Sequence, residues 1–363
     1  MFARALVFLS FLCFLLLFYC YDSSFISLFV VTTTATTAPR EHPKVKVWSS
    51  GLKHHHIIEK PTSSQHVFEH MCPTQQLSSN NERCHHTLSN LRPIISSYNS
   101  RTIQDQHCST TMLFDVGIPI SYGAPHLSHL YQNSHKVKLP ICITPNNEVK
   151  EEAEVVQQTT AQLSFIVQLL TEKNVGRGFV LDIGAGIGLS TITAAVLGYR
   201  VVAFESHRRL GDLLSRSVFM NQFQSSVTIF ENSLSNDVVC LTTLVPYLEV
   251  LAVADNLPKV VVLLRISPQV LAPLVLSGGG EFFQQFTVQT IILEVSKTEW
   301  SDIAHCPPTK VASALFELNY VMSSQDGSLI SNTDEFQRWI ESESGFKNKM
   351  NVVFTIDGST PTV

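Results

Sequence analysis

Apolar and polar positions alternate along residues 148–363 in a pattern that predicts strands and helices in turn. Short apolar runs predict buried strands at Phe179–Ile183, Arg200–Phe204, Val227–Phe230, Val260–Ile266, Thr290–Val295, Tyr320–Ser323 and Met350–Ile356. Helical periodicity predicts helices at Glu151–Thr171, Leu189–Leu197, Arg208–Phe223 and Lys310–Leu318. Strands that alternate with helices favour a parallel sheet covered on both faces. We therefore expect an α/β domain with a doubly wound, mostly parallel, seven-stranded Rossmann-like sheet.

The first 31 residues are dominated by apolar side chains. No charged residue occurs from Ala5 to Tyr21, and after Asp22 the apolar run resumes at Phe25–Val31. A spanning helix needs about 20 apolar residues, whereas a secretory signal needs a core of about 7–15. We interpret residues 1–31 as an uncleaved signal anchor, and a cleaved signal peptide is the alternative. Because Arg4 would stay cytoplasmic, we expect a single-pass membrane protein of the Golgi or endoplasmic reticulum with a lumenal C-terminal domain.

Residues 32–147 form a polar region that holds twelve of the fourteen histidines. Zinc sites use cysteine and histidine pairs at regular spacing, which this region lacks. We therefore expect a poorly ordered stem between the membrane segment and a folded domain at 148–363. An oxidising lumen would permit disulfides among four cysteines of this region, whose pairing the sequence leaves open: Cys72, Cys84, Cys108 and Cys142.

Composition narrows the class of partner. Hydrophobic residues make up 44% of the chain, which is enough for a sizeable core. The net charge of −5 argues against a nucleic-acid surface, because such a surface needs clustered lysine and arginine. No pattern in the sequence indicates an oligomeric state.

A glycine-rich loop follows the first predicted strand of the C-terminal domain and comprises Gly184, Ala185, Gly186, Ile187 and Gly188. Glycines allow a tight turn and a close approach by a ligand, and the helix that follows presents free N–H groups. Dinucleotide enzymes usually place the third glycine three residues after the second, whereas here the interval is two, which disfavours an NAD-dependent oxidoreductase. Glu205 ends the next strand, where a carboxylate could accept hydrogen bonds from both ribose hydroxyls. A structural turn beside an unrelated glutamate is the alternative.

The third predicted strand ends where the base of a bound nucleoside would lie. Asn232 and Ser233 follow this strand, and either side chain could contact the base edge. An ordinary polar loop is the alternative.

These segments resemble the FkbM family of methyltransferases over roughly Val180 to Phe354. The resemblance rests on VLDIGAGIGLST, VVAFE, VVVLLRIS, IILEVS, LFELNYVM and NVVF. It implies a class I methyltransferase domain that binds S-adenosylmethionine and methylates an oxygen of a sugar, lipid or other small-molecule acceptor. On this resemblance Asp182 and the glycine loop shape the methionine end of the pocket, and Glu205 holds the ribose.

One block departs from the family pattern. Members usually carry Lys-Ile-Asp-x-Glu-Gly after the fourth strand, whereas this chain has Arg265-Ile-Ser-Pro-Gln-Val270. Ser267 and Gln269 therefore replace both carboxylates at the expected substrate side.

The missing carboxylates bear on catalysis because an alcohol acceptor must lose a proton, and a positioned base accelerates such a step about 10²–10⁴-fold. Glu294, at the end of strand IILEV, is the best remaining candidate for this base, with Ser267 as the second candidate catalytic residue. Glu294 could instead be a structural partner of a loop or of Arg265. The acceptor could also be ionised already, or the domain could be a catalytically degenerate binding scaffold.

Overall fold

The computed structural model describes residues 178–231, 241–267, 272–295, 306–323, 329–342 and 350–356, with 110–116, 137–143 and 165–171 before them. Five isolated residues are also described: 67, 68, 71, 108 and 163. Glu59–Val363 forms one compact unit. The expected anchor at 1–31 lies outside the described residues, as do Asn232 and Ser233. Within the described ranges, no helix is long and apolar enough to span a membrane.

Ten strands and seven helices have defined bounds in these ranges. The strands are β1 Thr110–Val116, β2 Val137–Ile143, β3 Phe179–Ile183, β4 Arg200–Glu205, β5 Val227–Glu231, β6 Val260–Ile266, β7 Thr287–Val295, β8 Val321–Ser323, β9 Leu329–Ile330 and β10 Met350–Thr355. The helices are α1 Leu189–Val196, α2 Arg208–Met220, α3 Leu241–Ala254, α4 Ala272–Ser277, α5 Gly280–Gln285, α6 Pro308–Glu317 and α7 Thr333–Ser342. Residues 165–171 are also helical, within the expected helix Glu151–Thr171.

The large sheet has the strand order β5-β4-β3-β6-β7-β10-β8-β9. Strands β3 to β7 pair in parallel, and β10 runs antiparallel between β7 and β8. The mostly parallel α/β sheet is confirmed. The expected number of seven strands is wrong, because the two-residue strand β9 adds an eighth at the edge of β8. A pair of residues is too short to produce an alternation in the sequence.

Successive strands are added to the sheet on both sides of β3. Strands β4 and β5 follow on one side of β3, and β6 and β7 lie on the other. The carboxyl ends of β3, β4, β6 and β7 therefore share one edge of the sheet, with the switch point between β3 and β6. Open α/β sheets bind their ligands in the crevice at such a point.

Each face of the sheet carries its own apolar core. Leu181 and Leu264 belong to the core that includes residues of α3 to α7, whereas Val180 and Leu263 belong to the core that includes α1 and α2. Neighbouring residues of one strand thus face opposite cores. Burial on both faces explains why strands such as β6 read as continuous apolar runs rather than as an alternating pattern.

Strands β1 and β2 lie inside the range that we expected to be an unfolded stem. They pair antiparallel with each other. Leu139 and Ile141 of β2 are fully buried in the core that includes α1 and α2. The packed part of the chain therefore begins before residue 148, where we had placed the start of the domain.

Polar bonds and a disulfide hold the β1–β2 hairpin in place. The backbone N–H of Cys142 donates to Ser217 Oγ of α2 at 3.0 Å, and Asn221 Nδ2 donates to the carbonyl of Pro140 at 2.8 Å. Cys108 and Cys142 form a disulfide with a Cα–Cα distance of 5.7 Å. This assigns one pairing that the sequence left open. Cys306 is also disulfide-bonded.

Candidate functional site

The glycine loop connects β3 to α1 at the switch point. Gly184, Gly186 and Gly188 have φ angles of +78°, +59° and +95°, so the chain needs residues that accept a left-handed backbone here. A Cβ on Gly188 would lie 2.3 Å from Leu214 Cδ1, which shows that this glycine lets α2 pack closely. A Cβ on Gly186 would meet no atom within 4 Å. Of the two, Gly186 therefore borders open space that a ligand can enter.

Glu205 lies directly beside this loop, as the sequence predicts. Its Oε2 accepts a hydrogen bond of 2.6 Å from the N–H of Gly186, and its Oε1 accepts one of 2.7 Å from the N–H of His207. The N–H groups of Gly184 and Ala185 also donate to the carbonyl of Phe204, at 2.8 and 2.9 Å. These bonds fix the glycine loop and the end of β4 in a single unit.

Asp182 lies beneath the loop and is fully buried. Its Oδ1 is 2.7 Å from Arg265 Nη1, and its Oδ2 accepts a hydrogen bond of 2.7 Å from Thr191 Oγ1. Arg265 also donates to the carbonyl of Gly184 at 3.3 Å. The carboxylate thus has protein partners on both oxygens, and it shapes the loop by tying β3 to β6 and α1.

Ser267 and Glu294, the two candidate catalytic residues, are in direct contact. Ser267 Oγ donates to Glu294 Oε2 at 2.7 Å, and both residues are half-buried. The N–H of Ser267 donates to the carbonyl of Ile183 at 2.8 Å, so Ser267 lies beside the start of the glycine loop. Arg265, the alternative structural partner of Glu294, pairs with Asp182 instead.

Three residues at the site were not identified from the sequence. Thr191 and Arg265 complete the contacts of Asp182, and Asn351 of β10 pairs with Glu294 in the antiparallel register. The Arg265 pairing follows from the β3–β6 register, in which Asp182 lies opposite Arg265. The segment NVVF signals a strand but not its direction, so the pattern could not place Asn351 at this edge.

The predicted nucleoside-base contacts cannot be placed, because Asn232 and Ser233 lie outside the described residues, as do 268–270 after Ser267. His207 is exposed. Among the described side chains, no group of three or more histidine, cysteine, aspartate or glutamate residues is arranged to hold a metal ion.

No protein-family model matches the chain. No curated protein matches it either. Solved structures with a similar fold include the methyltransferase domain of METTL16, with 10% identity and a TM-score of 0.33, where the match covers 53% of this chain and 65% of that one. The chain thus spans less than two thirds of that domain.

Two further solved structures are similar to parts of this chain. One is magnesium protoporphyrin IX methyltransferase from Synechocystis PCC 6803 with bound SAM, with 13% identity and a TM-score of 0.36 over 59% of this chain and 86% of that one. The other is an O-methyltransferase from Bacillus cereus in complex with SAH, with 16% identity and a TM-score of 0.30 over 58% and 91%. Scores this low carry no argument about activity, which must rest on the site itself.

Proposed function

We propose that this chain is an S-adenosylmethionine-dependent methyltransferase of FkbM type. The observation that carries this proposal is the 2.6 Å bond between the N–H of Gly186 and Glu205, which joins the glycine loop to an acidic residue on the adjacent parallel strand. A ligand of this kind needs both parts. The loop leaves room for the chain attached to the nucleoside, and the carboxylate accepts hydrogen bonds from the ribose hydroxyls.

The residues present fit S-adenosylmethionine. The position where Gly186 would carry a Cβ is open, so the loop leaves space for a ligand. Helix α1 begins directly after Gly188, and its free N–H groups favour a carboxylate such as that of the methionine part. Glu205 would hold the ribose.

The proposed reaction transfers a methyl group to an acceptor oxygen. The cofactor supplies an electrophilic methyl carbon and a neutral thioether leaving group. The chain aligns the acceptor with this carbon and excludes water, which together account for much of the acceleration in such displacements. Glu294 takes the acceptor proton. We propose a sugar, lipid or other small molecule as the acceptor.

We also propose that the reaction takes place in the secretory pathway. Disulfides persist in oxidising compartments, and the Cys108–Cys142 disulfide agrees with a lumenal domain. The apolar segment 1–31 would then serve as the signal anchor.

The alternative function is a binding scaffold that keeps the fold without catalysis. Its support is the replacement of two family carboxylates by Ser267 and Gln269. Against it stands the glycine loop with its bonded Glu205, because a scaffold has no need of a cofactor pocket.

Calorimetry of the full chain with S-adenosylmethionine tests the proposal. We expect saturable binding that Glu205→Gln weakens about 10–100-fold, since hydrogen bonds to a charged group contribute about 1.5–3 kcal/mol. Glu317→Gln is the matched control, because Glu317 is exposed on α6. If the unaltered chain does not bind the cofactor, the methyltransferase proposal fails. Binding without methyl transfer to pools of sugars, lipids and small molecules would support the scaffold.

A further inference from the structure

A row of polar residues lies along the proposed acceptor side of the crevice. Ser267, Glu294 and Asn351 lie at neighbouring positions across β6, β7 and β10. β10 is antiparallel to β7, so it brings the beginning of its strand to the edge where the parallel strands end. Directly opposite residues of an antiparallel pair share one face, so Asn351 lies on the face that carries Glu294.

We propose that Glu294 and Asn351 together orient the acceptor and select a neutral hydroxyl group over a carboxylate. This inference rests on the proposed function, because it assumes that a methyl donor occupies the glycine loop. It adds Asn351 to the site and assigns a charge preference to the acceptor.

The hydrogen-bonding capacity of the two side chains supports the pairing. Ser267 occupies Oε2 of Glu294, and Oε1 has no partner among the described residues. The side-chain amide of Asn351 likewise has no hydrogen-bond partner within the described ranges, and the residue is half-buried. A carboxylate only accepts hydrogen bonds, whereas an amide NH₂ donates them. A hydroxyl group does both, so it can donate to Glu294 and accept from Asn351.

Distance along the sheet agrees with this role. Ser267 lies beside the end of β3, and neighbouring strands are about 4.8 Å apart, so Glu294 lies about 10 Å across the sheet from the glycine loop. The row therefore lies beside the cofactor pocket and does not overlap it. Ser267 acts as a positioning residue, because its hydroxyl holds Oε2 and leaves Oε1 toward the acceptor.

The charge of Glu294 sets the preference for a neutral acceptor. Arg265, which lies on the same face, is engaged by Asp182, and no described residue forms an ion pair with Glu294. A carboxylate acceptor at this place would face an uncompensated negative charge. Like charges in contact near a protein surface disfavour binding strongly, so we expect a preference of about 100-fold or more.

The proposed reaction at this pair moves one methyl group and one proton. The acceptor oxygen forms a bond with the methyl carbon while the carbon–sulfur bond breaks, and the sulfur keeps the electron pair as a thioether. The acceptor proton passes to Glu294 Oε1. The amide of Asn351 donates to the second lone pair of the acceptor oxygen and holds its reacting lone pair in line.

A titration of the full chain tests this inference. The chain is first saturated with S-adenosylhomocysteine, and its NMR shifts are then followed with methyl glucoside as a neutral probe and glucuronate as an anionic one. We expect methyl glucoside to bind about 100-fold more tightly than glucuronate, or more tightly still. Glu294→Gln should bring the two affinities within about threefold, and Asn351→Ala should weaken methyl glucoside about 3–10-fold, the loss for one hydrogen bond.

Controls separate this inference from the proposed function. Both variants should keep the affinity for S-adenosylmethionine within about twofold, as should Glu317→Gln, which should also keep the preference for the neutral probe. A chain that does not bind the cofactor overturns the proposed function. If the cofactor binds but the unaltered chain binds neither probe, or binds both equally, only the acceptor inference is overturned. The same holds if Glu294→Gln keeps the preference.

Discussion

Two glycines of the glycine loop should respond differently to substitution by alanine. Gly188 has a φ of +95°, and an alanine there would place its Cβ 2.3 Å from Leu214 Cδ1. Leu214 is fully buried in the core that includes α1 and α2, so moving its side chain aside would require the surrounding core to repack. A left-handed backbone costs a side-chain residue about 1–2 kcal/mol, and overpacking adds about 1–3 kcal/mol. Gly188→Ala should therefore lower the free energy of unfolding by about 2–5 kcal/mol.

Gly186→Ala provides the matched comparison in the same loop. Its φ of +59° brings a backbone cost of about 1–2 kcal/mol, and the added methyl group meets no protein atom. The stability loss should stay near that value, while the methyl group fills space that we assign to the ligand. We therefore expect Gly186→Ala to be the more stable variant and to lose measurable binding of S-adenosylmethionine.

Equilibrium unfolding in urea measures the stability of both variants, and calorimetry measures their cofactor binding. Leu214→Ala in the Gly188→Ala background adds a further check, because it removes the atom in conflict. The double variant should lose less free energy of unfolding than the two single variants lose together, by at least about 1 kcal/mol. Equal destabilisation of the two glycine variants, or full binding by Gly186→Ala, would refute the distinction between a packing glycine and a ligand-facing one.

Three further predictions concern stability. Arg265→Met leaves the buried charge of Asp182 unpaired and should cost about 3–5 kcal/mol in urea unfolding, part of which Asp182→Asn should restore in the double variant. Burial raises the pKa of the Tyr320 phenol well above its ordinary value, so the group is protonated in the folded chain and ionises on unfolding at alkaline pH. The stabilising contribution of this group is complete below about pH 10, and above it the free energy of unfolding falls by about 1.4 kcal/mol per pH unit. When the free energy of unfolding is measured from pH 9 to 11, this fall should be absent in Tyr320→Phe. A variant with the same slope as the unaltered chain would contradict the reasoning. Loss of the Cys108–Cys142 disulfide, which spans a sequence separation of 34, should cost about 3–4 kcal/mol in Cys108→Ser, and a cost near zero would show that the hairpin packs without it.

The parallel part of the sheet and the glycine loop could be predicted from the sequence because local pattern and long-range structure agree there. β3 and β6 have the predicted bounds, since a strand buried on both faces is an unbroken apolar run between polar residues. The predicted proximity of Gly186 and Glu205 is confirmed because both lie at the ends of adjacent parallel strands.

Helices α3, α4, α5 and α7 were not predicted, and the two longer ones, α3 and α7, were missed for different reasons. α3 contains Pro246 and is apolar on most of its surface, so it lacks a helical stripe and includes a residue that usually interrupts helices. α7 has a recognisable start that was overlooked: Asn332 Oδ1 accepts from the N–H of Glu335, and Glu335 Oε2 accepts from the N–H of Ser331. The backbone bond from Ser331 is the largest cause that lowers the pKa of Glu335. This pattern resembles a capping box with asparagine at the N-cap, except that the glutamate accepts from the residue before the N-cap.

The hairpin and the acceptor row depend on contacts between residues far apart in sequence. Nothing local in β2 indicates that Leu139 packs on the core that includes α1 and α2, because the surrounding region is polar. The position of Asn351 follows from the antiparallel direction of β10, which hydrophobicity does not encode. Registers between distant strands are set by the assembled core, so they become visible only in the structure.

The switch point between β3 and β6 divides the edge of the sheet into two parts, to which the proposed function gives separate tasks. The part formed by β3 and β4 contains every residue that we assign to the methyl donor. The part formed by β6, β7 and β10 contains every residue that we assign to the acceptor, with Arg265 as the link between them. Under the proposed function, substitutions at Ser267, Glu294 or Asn351 would therefore change which molecule is methylated without altering how the donor is held.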